Sequence, residues 1–130
     1  ISPIAVGSIL PLQRSASGLI YLSFMPAKAT TQALQARIQQ ATWNKKEVDN
    51  LRTKTLQTGY ALASGHYIPG LCAIALPIFN HDRTLAAAIT LVSTDTNMFT
   101  DNSPETLRAI AEVQNLERSW SPESSEKPGK

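Results

Sequence analysis

A chain of 130 residues with 42% apolar and 17% charged residues suits one domain that buries its own core without staples. A net charge of +2 is too small to point to nucleic acid or a membrane surface, and no apolar run approaches the length needed to span a bilayer. The single cysteine excludes an internal disulfide and fits a reducing, cytoplasmic setting, while the low charged share suggests a surface partly covered by a partner chain or by further polypeptide.

Residues 1–12 read as an extended segment whose Pro and Gly limit its regularity, and an opening at Ile1 inside apolar sequence suggests a start partway through a longer protein. Ser15–Met25 combines Ala16, Ser17 and Gly18 with Leu19, Ile20, Leu22 and Phe24, which predicts a buried helix with Ser15 as its cap. Free backbone amides at that small-residue start favour an anion such as a carboxylate, although an empty cap is the commoner case. Thr30 or Thr31 opens a second predicted helix, to about Ala41, with Leu34 and Ile38 inward. A third runs from Lys45 to Thr58, with an Asn44/Glu47 capping-box pattern and Gly59 as its stop. Its Lys45, Lys46, Arg52 and Lys54 read as a solvated face, and Asp49 with Arg52 as a surface pair.

A short strand over Tyr60–Ala63 and a turn at Ser64-Gly65-His66 lead into two apolar runs, Leu71–Phe79 and Thr84–Val92, parted by Asn80-His81-Asp82-Arg83. Pro77 and the polar break argue against helix, so the pair reads as a β-hairpin. Setting Phe79 against Thr84 pairs Ile78 with Leu85, Leu76 with Ala87, Ile74 with Ile89 and Cys72 with Leu91 on one bulky face. The other face pairs Leu71 with Val92, Ala73 with Thr90, Ala75 with Ala88 and Pro77 with Ala86, nearly all small residues. An alanine face either lets a helix approach closely, the more frequent case, or floors a small-molecule pocket with the Thr90 hydroxyl as a placed polar group.

After a polar loop over Ser93–Asn102, Ser103 and an N1 proline at Pro104 open a last helix through Leu107, Ile110, Val113 and Leu116. Residues 121–130 read as a disordered tail, so the domain is expected over residues 1–120. No catalytic constellation stands out. His66 and His81 lie in turn-like segments without metal-ligand spacing to each other or to Cys72, and Cys72 sits on the bulky face as a small hydrophobe. Neither a Gly-rich phosphate loop nor a Ser-centred elbow occurs. No enzyme, metal or cofactor is expected.

Three stretches in order carry a resemblance. They are Gly7-Ser8-Ile9-Leu10-Pro11-Leu12 with Ser15-Ala16-Ser17-Gly18, then Thr58-Gly59-Tyr60-Ala61, then Gly70–Phe79 with Ala87-Ala88-Ile89-Thr90-Leu91. From Gly7 to about Leu116 the chain resembles the effector-binding domain of isocitrate-lyase-regulator-type (IclR-type) bacterial transcription factors. The resemblance implies an α+β, GAF-like fold: a curved antiparallel sheet flanked by helices, lacking its first strands here. It implies a small organic effector, a homodimer or tetramer, and DNA binding only through an upstream winged helix absent from this chain, with no membrane involvement.

The family's pocket maps onto Ala16 and Ser17, Ala63, Leu71, Ala73, Thr90 and Val92, the last four on the small-residue face deduced from pairing. The family usually places acidic residues after the Gly-Tyr strand, where this chain has Ala63-Ser64-Gly65-His66. His66 then supplies a donor or a titrating group instead of a carboxylate. Thr90 keeps a hydroxyl where relatives often have serine, and Val92 has none, so the expected pocket is more apolar than that of a glyoxylate or pyruvate sensor and suits an aromatic acid. The alternative is a structural or dimerisation domain whose alanine face is filled by its own helix and binds no ligand.

Overall fold

The computed structural model describes residues 16–28, 44–64 and 69–120. The expected extended segment over residues 1–12, the Ser15 cap, the helix from Thr30 or Thr31, the turn at Gly65-His66 and the tail over 121–130 lie outside them. Helix α1 (Ala16–Phe24) and helix α2 (Lys45–Thr58) precede strands β1 (Ala61–Ser64), β2 (Cys72–Phe79) and β3 (Leu85–Ser93), and helix α3 (Pro104–Ser119) follows. The strands form one antiparallel sheet in the order β1-β2-β3, so the architecture is α+β.

Local chemistry sets the helix ends. The Asn44 side chain accepts from the backbone N–H groups of Lys46 and Glu47, and Gly59 ends α2 in the left-handed conformation (φ 83°), its N–H donating to the Thr55 carbonyl. Ser103 caps α3, its Oγ accepting from the Thr106 N–H at 3.2 Å, with Pro104 behind it in the first turn. Asp49 pairs with Lys45 at 3.5 Å rather than with Arg52, since i,i+4 spacing brings those two heads together. Lys54 stays exposed, as expected of a solvated face, while pairing with Asp101 at 3.2 Å.

The two faces of the sheet bury different things. One carries Cys72, Ile74, Leu76 and Ile78 of β2, packed with Tyr60, Phe99 and with Ala109 and Val113 of α3. The Cys72 thiol donates to the Asp95 carbonyl at 3.0 Å, in keeping with a buried small hydrophobe. The inward face of α3 is Thr106, Ala109 and Val113, whereas Leu107 and Leu116 are 60% and 47% exposed. Thr106 shares the helical stripe of Ala109 and Val113 while Leu107 lies off it, and the buried Thr106 Oγ1 accepts from the Ser103 hydroxyl at 2.9 Å. The opposite face of the sheet carries α1, with α2 behind it through Leu51.

The hairpin register departs from the expected one in two steps. The loop closes with Asn80 N–H donating to the Thr84 carbonyl at 2.8 Å and Arg83 N–H to the Asn80 carbonyl at 2.9 Å, and Arg83 takes a left-handed φ of 69°. That is a three-residue loop built on a turn plus a left-handed residue, and it sets Phe79 opposite Leu85 instead of Thr84. A bulge then leaves Ala86 without an opposite residue, so Ile78 meets Ala87, Ile74 meets Leu91 and Cys72 meets Ser93. Beyond the bulge the slip is even, so side chains keep their expected faces while changing partners. Leu85 alone among the large residues changes sides, and packs with the α1 cluster.

Phe79, at the bulge, is held from three directions. Phe24 of α1 meets it edge-on with centroids 5.3 Å apart, the Arg83 guanidinium lies 4.6 Å over its ring, and its N–H donates to the Glu117 carboxylate at 3.1 Å. In the loop, Asp82 accepts from both the hydroxyl and the N–H of Thr84, which holds its carboxyl below the usual range.

Just before β1 the Tyr60 hydroxyl donates to the Asp101 carboxylate at 3.0 Å. Burial, then that hydrogen bond, then the Asp101 charge all raise its pKa above the ordinary 10.0. The folded chain therefore holds this proton more tightly than the unfolded one. Its contribution is fully present below the ordinary tyrosine value and is lost as pH rises through the folded value. Unfolding midpoints taken across that range should fall more steeply with pH for the wild type than for Tyr60→Phe; parallel profiles would show that Tyr60 carries no such coupling.

Candidate functional site

The small-residue face is laid out in rows across the strands. Ala61 of β1 pairs with Ala75 of β2, which pairs with Thr90 of β3; Ala63 pairs with Ala73, which pairs with Val92. The expected partnerships of Ala73 with Thr90 and Leu71 with Val92 are thus replaced, for the two reasons given by the loop and the bulge. Ala63, Ala73 and Val92 nevertheless stand side by side, with Thr90 one row away on the same face.

Helix α1 covers only part of this surface. Ala16, Leu19 and Ile20 pack with Ala61 and Ala75, which are 3% and 0% exposed. Side chains no larger than methyl groups on the strands let the helix backbone come close, and this is the close-approach reading of an alanine face. The remaining surface opens stepwise towards β3. Ala63 and Ala73 are half-buried, Thr90 is exposed, and Val92 is 57% exposed. Ser17, in the first turn of α1, and Leu71, just before β2, are both half-buried. The structure therefore brings Ala16, Ala63 and Ala73 into one cluster beside the start of α1 and leaves Thr90 and Val92 as an uncovered flank. His66 lies outside the described residues.

The opposite face holds a feature that sequence reading missed. An open groove of about 420 Å³ runs between β3 and α3, lined by Ile89 and Leu91 on one side and by Glu105, Arg108, Glu112 and Leu116 on the other. The available signal was the spacing of Glu105, Arg108, Glu112 and Leu116, which puts four solvent-side residues on one flank of α3 rather than on its outward face. Reading Leu116 as core concealed it.

Chemically, both surfaces pair an apolar floor with a few polar side chains at the rim. Among the described residues no group of three or more His, Cys, Asp or Glu side chains is placed to hold a metal ion, and no helix is long and apolar enough to cross a membrane. An apolar floor with one hydroxyl beside a helix start suits the orientation of a small molecule with an apolar body and one polar end.

Comparison with known proteins places this geometry. Residues 2–118 match the family described as bacterial transcriptional regulator IclR, C-terminal. Solved structures with the same fold include HmgR of Pseudomonas aeruginosa (TM-score 0.76, 23% identity, 89% of this chain and 47% of that one). An IclR-family transcriptional regulator from Brucella abortus superposes with a TM-score of 0.71 at 20% identity, over 93% of this chain and 48% of its own. Thermotoga maritima IclR gives 0.60 at 18% identity, over 88% and 49%. At these identities the likeness establishes the fold, and the chain spans about half the length of each of these three structures. No curated protein matches the sequence.

Proposed function

The chain belongs to the bacterial transcriptional regulator IclR C-terminal family, and from that premise we propose that it is the ligand-sensing and oligomerisation part of such a regulator. It acts without catalysis. The effector is a small organic acid with an apolar or aromatic body. Ala63, Leu71, Ala73 and Val92 contact that body, while Thr90, Ser17 and the backbone at Ala16 hold its polar end. DNA is reached through a winged helix elsewhere in the full-length regulator, and the working form is a homodimer or tetramer in the cytoplasm.

The mechanism is linkage. An effector that prefers one arrangement of the assembled regulator shifts DNA affinity by its differential affinity for the two arrangements, and by no more than that. The observation that carries this reading is the half-open row Ala63–Ala73–Val92 beside the first turn of α1, since a face designed only for packing would be closed along its whole length.

Thermal-shift measurement against aliphatic and aromatic monocarboxylic acids tests it. A bound acid at a hundred times its Kd stabilises the fold by about 2.7 kcal/mol and raises the melting temperature accordingly. Thr90→Val should then weaken the best acid by about 1 kcal/mol, roughly fivefold in Kd, through loss of one hydrogen bond. Because Thr90 is exposed, the ligand-free melting temperature should hardly move. Unchanged affinity by calorimetry would remove Thr90 from the site. A second reading, a structural domain that binds nothing, is favoured by the complete burial of Ala75 under α1; a panel in which no acid raises the melting temperature would select it.

A further inference from the structure

Helices α1 and α3 lie on opposite faces of the sheet, and both reach the last residue of β2. The ring of Phe79 lies on the α1 face, in one alternation with Ala73, Ala75 and Pro77, and meets Phe24 edge-on with centroids 5.3 Å apart. Its backbone N–H leaves the strand ladder instead. The Asn80 N–H crosses the hairpin to the Thr84 carbonyl, so by alternation the Phe79 N–H points away from β3. On that side β1 pairs with β2 only as far as Ala75, and the donor goes to the Glu117 carboxylate at 3.1 Å. Glu117 is half-buried, continues the inward stripe of Ile110 and Val113, and lies in the last turn of α3, where the helix dipole disfavours a carboxylate. The Phe79 N–H accounts for a negative charge held there against both tendencies.

We propose that Phe79 is a junction that couples α1 to the last turn of α3 around the end of the sheet, with Glu117 as the residue that positions it. The two helices hold one residue by different parts, α1 by the ring and α3 by the backbone. A shift of α1 moves the ring and strains the bond to Glu117, and loss of that bond loosens the ring from Phe24. The hairpin loop stiffens the junction. Arg83 lies 4.6 Å over the ring from a left-handed backbone, and Leu85, opposite Phe79, packs with the α1 cluster. Because α1 begins at Ala16 and Ser17, a movement set off at its first turn reaches α3 by this route. The coupling goes beyond the function proposed above and needs no effector, since every contact in it belongs to this chain.

Amide hydrogen exchange of the full chain, followed residue by residue by NMR, tests the junction with Phe24→Leu, Glu117→Met and Glu117→Gln. Phe24 and Glu117 are both half-buried, and far-UV circular dichroism checks that each variant is folded. The fully buried Ile74 serves as the internal reference, because a general loss of stability speeds its amide as well. Phe24→Leu should speed exchange at Phe79 and at Glu117 tenfold or more relative to Ile74. Glu117→Met should do the same at Phe79 and at Phe24, whereas Glu117→Gln, which keeps an acceptor at the same reach, should leave both slow. In chemical denaturation, Phe24→Leu and Glu117→Met combined should raise the unfolding constant at least fivefold less than the product of the single effects. Exchange that rises only in step with Ile74, a Gln variant as fast as the Met variant, or strictly multiplicative unfolding constants would each overturn the junction.

Discussion

Ile74→Ala is expected to lower the free energy of unfolding by about 2–5 kcal/mol, the range for truncating a fully buried branched side chain that leaves a cavity. Ile74 is 0% exposed in the central strand, flanked by Leu62 of β1 and Leu91 of β3. It belongs to the cluster that also contains Leu76, Ile78, Ala109 and Val113. Neighbours on both strands and the helix below restrain collapse into the space, so the lost contacts are not regained. A domain of this size is stable by only about 5–15 kcal/mol, which makes the loss a large share of the total. The comparison is Ile89→Ala, on the same face but beside the open groove, where water already reaches the side chain. There the cost should stay near 1 kcal/mol. Chemical denaturation of both variants reads the difference directly, and equal costs would mean that the groove is filled in solution.

Ala75→Leu probes the other face and should cost about 1–3 kcal/mol, as inserting methylenes into a closed packing forces backbone or rotamer shifts. Ala75 is 0% exposed, with Ala61 beside it in the sheet and Ala16, Leu19 and Ile20 of α1 above. The added isobutyl group has to lift α1. Ala88→Leu makes the same chemical change on the same face of β3, where the side chain is exposed, and should lie within about 0.5 kcal/mol of the wild type. Melting curves showing Ala75→Leu to be neutral would mean that the helix stands off the sheet, and the hollow would then extend across all three strands. The expected contrast instead confines any open volume to the β3 side, next to Thr90 and Val92.

What was legible in the sequence was local. The cap at Asn44, the stop at Gly59, the Ser103-Pro104 start of α3 and the extent of both hairpin strands each follow from residues within a few positions of one another. Separation of the two sheet faces was legible too, because the alternation of side chains survives any even change of register. Partner identity was not. Whether the loop closes at Phe79–Thr84 or at Asn80–Thr84 depends on Arg83 accepting a left-handed backbone, and the bulge at Ala86 depends on Leu85 finding cover beside α1. The first is a local choice that an arginine seldom makes, and the second is an outcome of packing between elements distant in sequence. In α3 the apolar spacing favoured Leu107 over Thr106, and the burial of Ala109 and Val113 against the sheet sets the phase that turns Thr106 inward.

The seven residues mapped to the effector site divide along the same line. Sequence placed Ala73, Thr90 and Val92 on one surface and Ala16 and Ser17 at a helix start, through pattern and resemblance together. It could not say how far α1 would extend over the sheet. By itself the sequence determined the family, the strands and the composition of each face, because hydrophobic periodicity and capping are carried by neighbouring residues. Tertiary structure alone decided that the helix closes over Ala61 and Ala75 and stops short of Thr90, and that a groove opens on the opposite side. The physical reason is that coverage is set by where one element comes to rest on another, a balance of burial and steric fit summed over residues far apart in the chain.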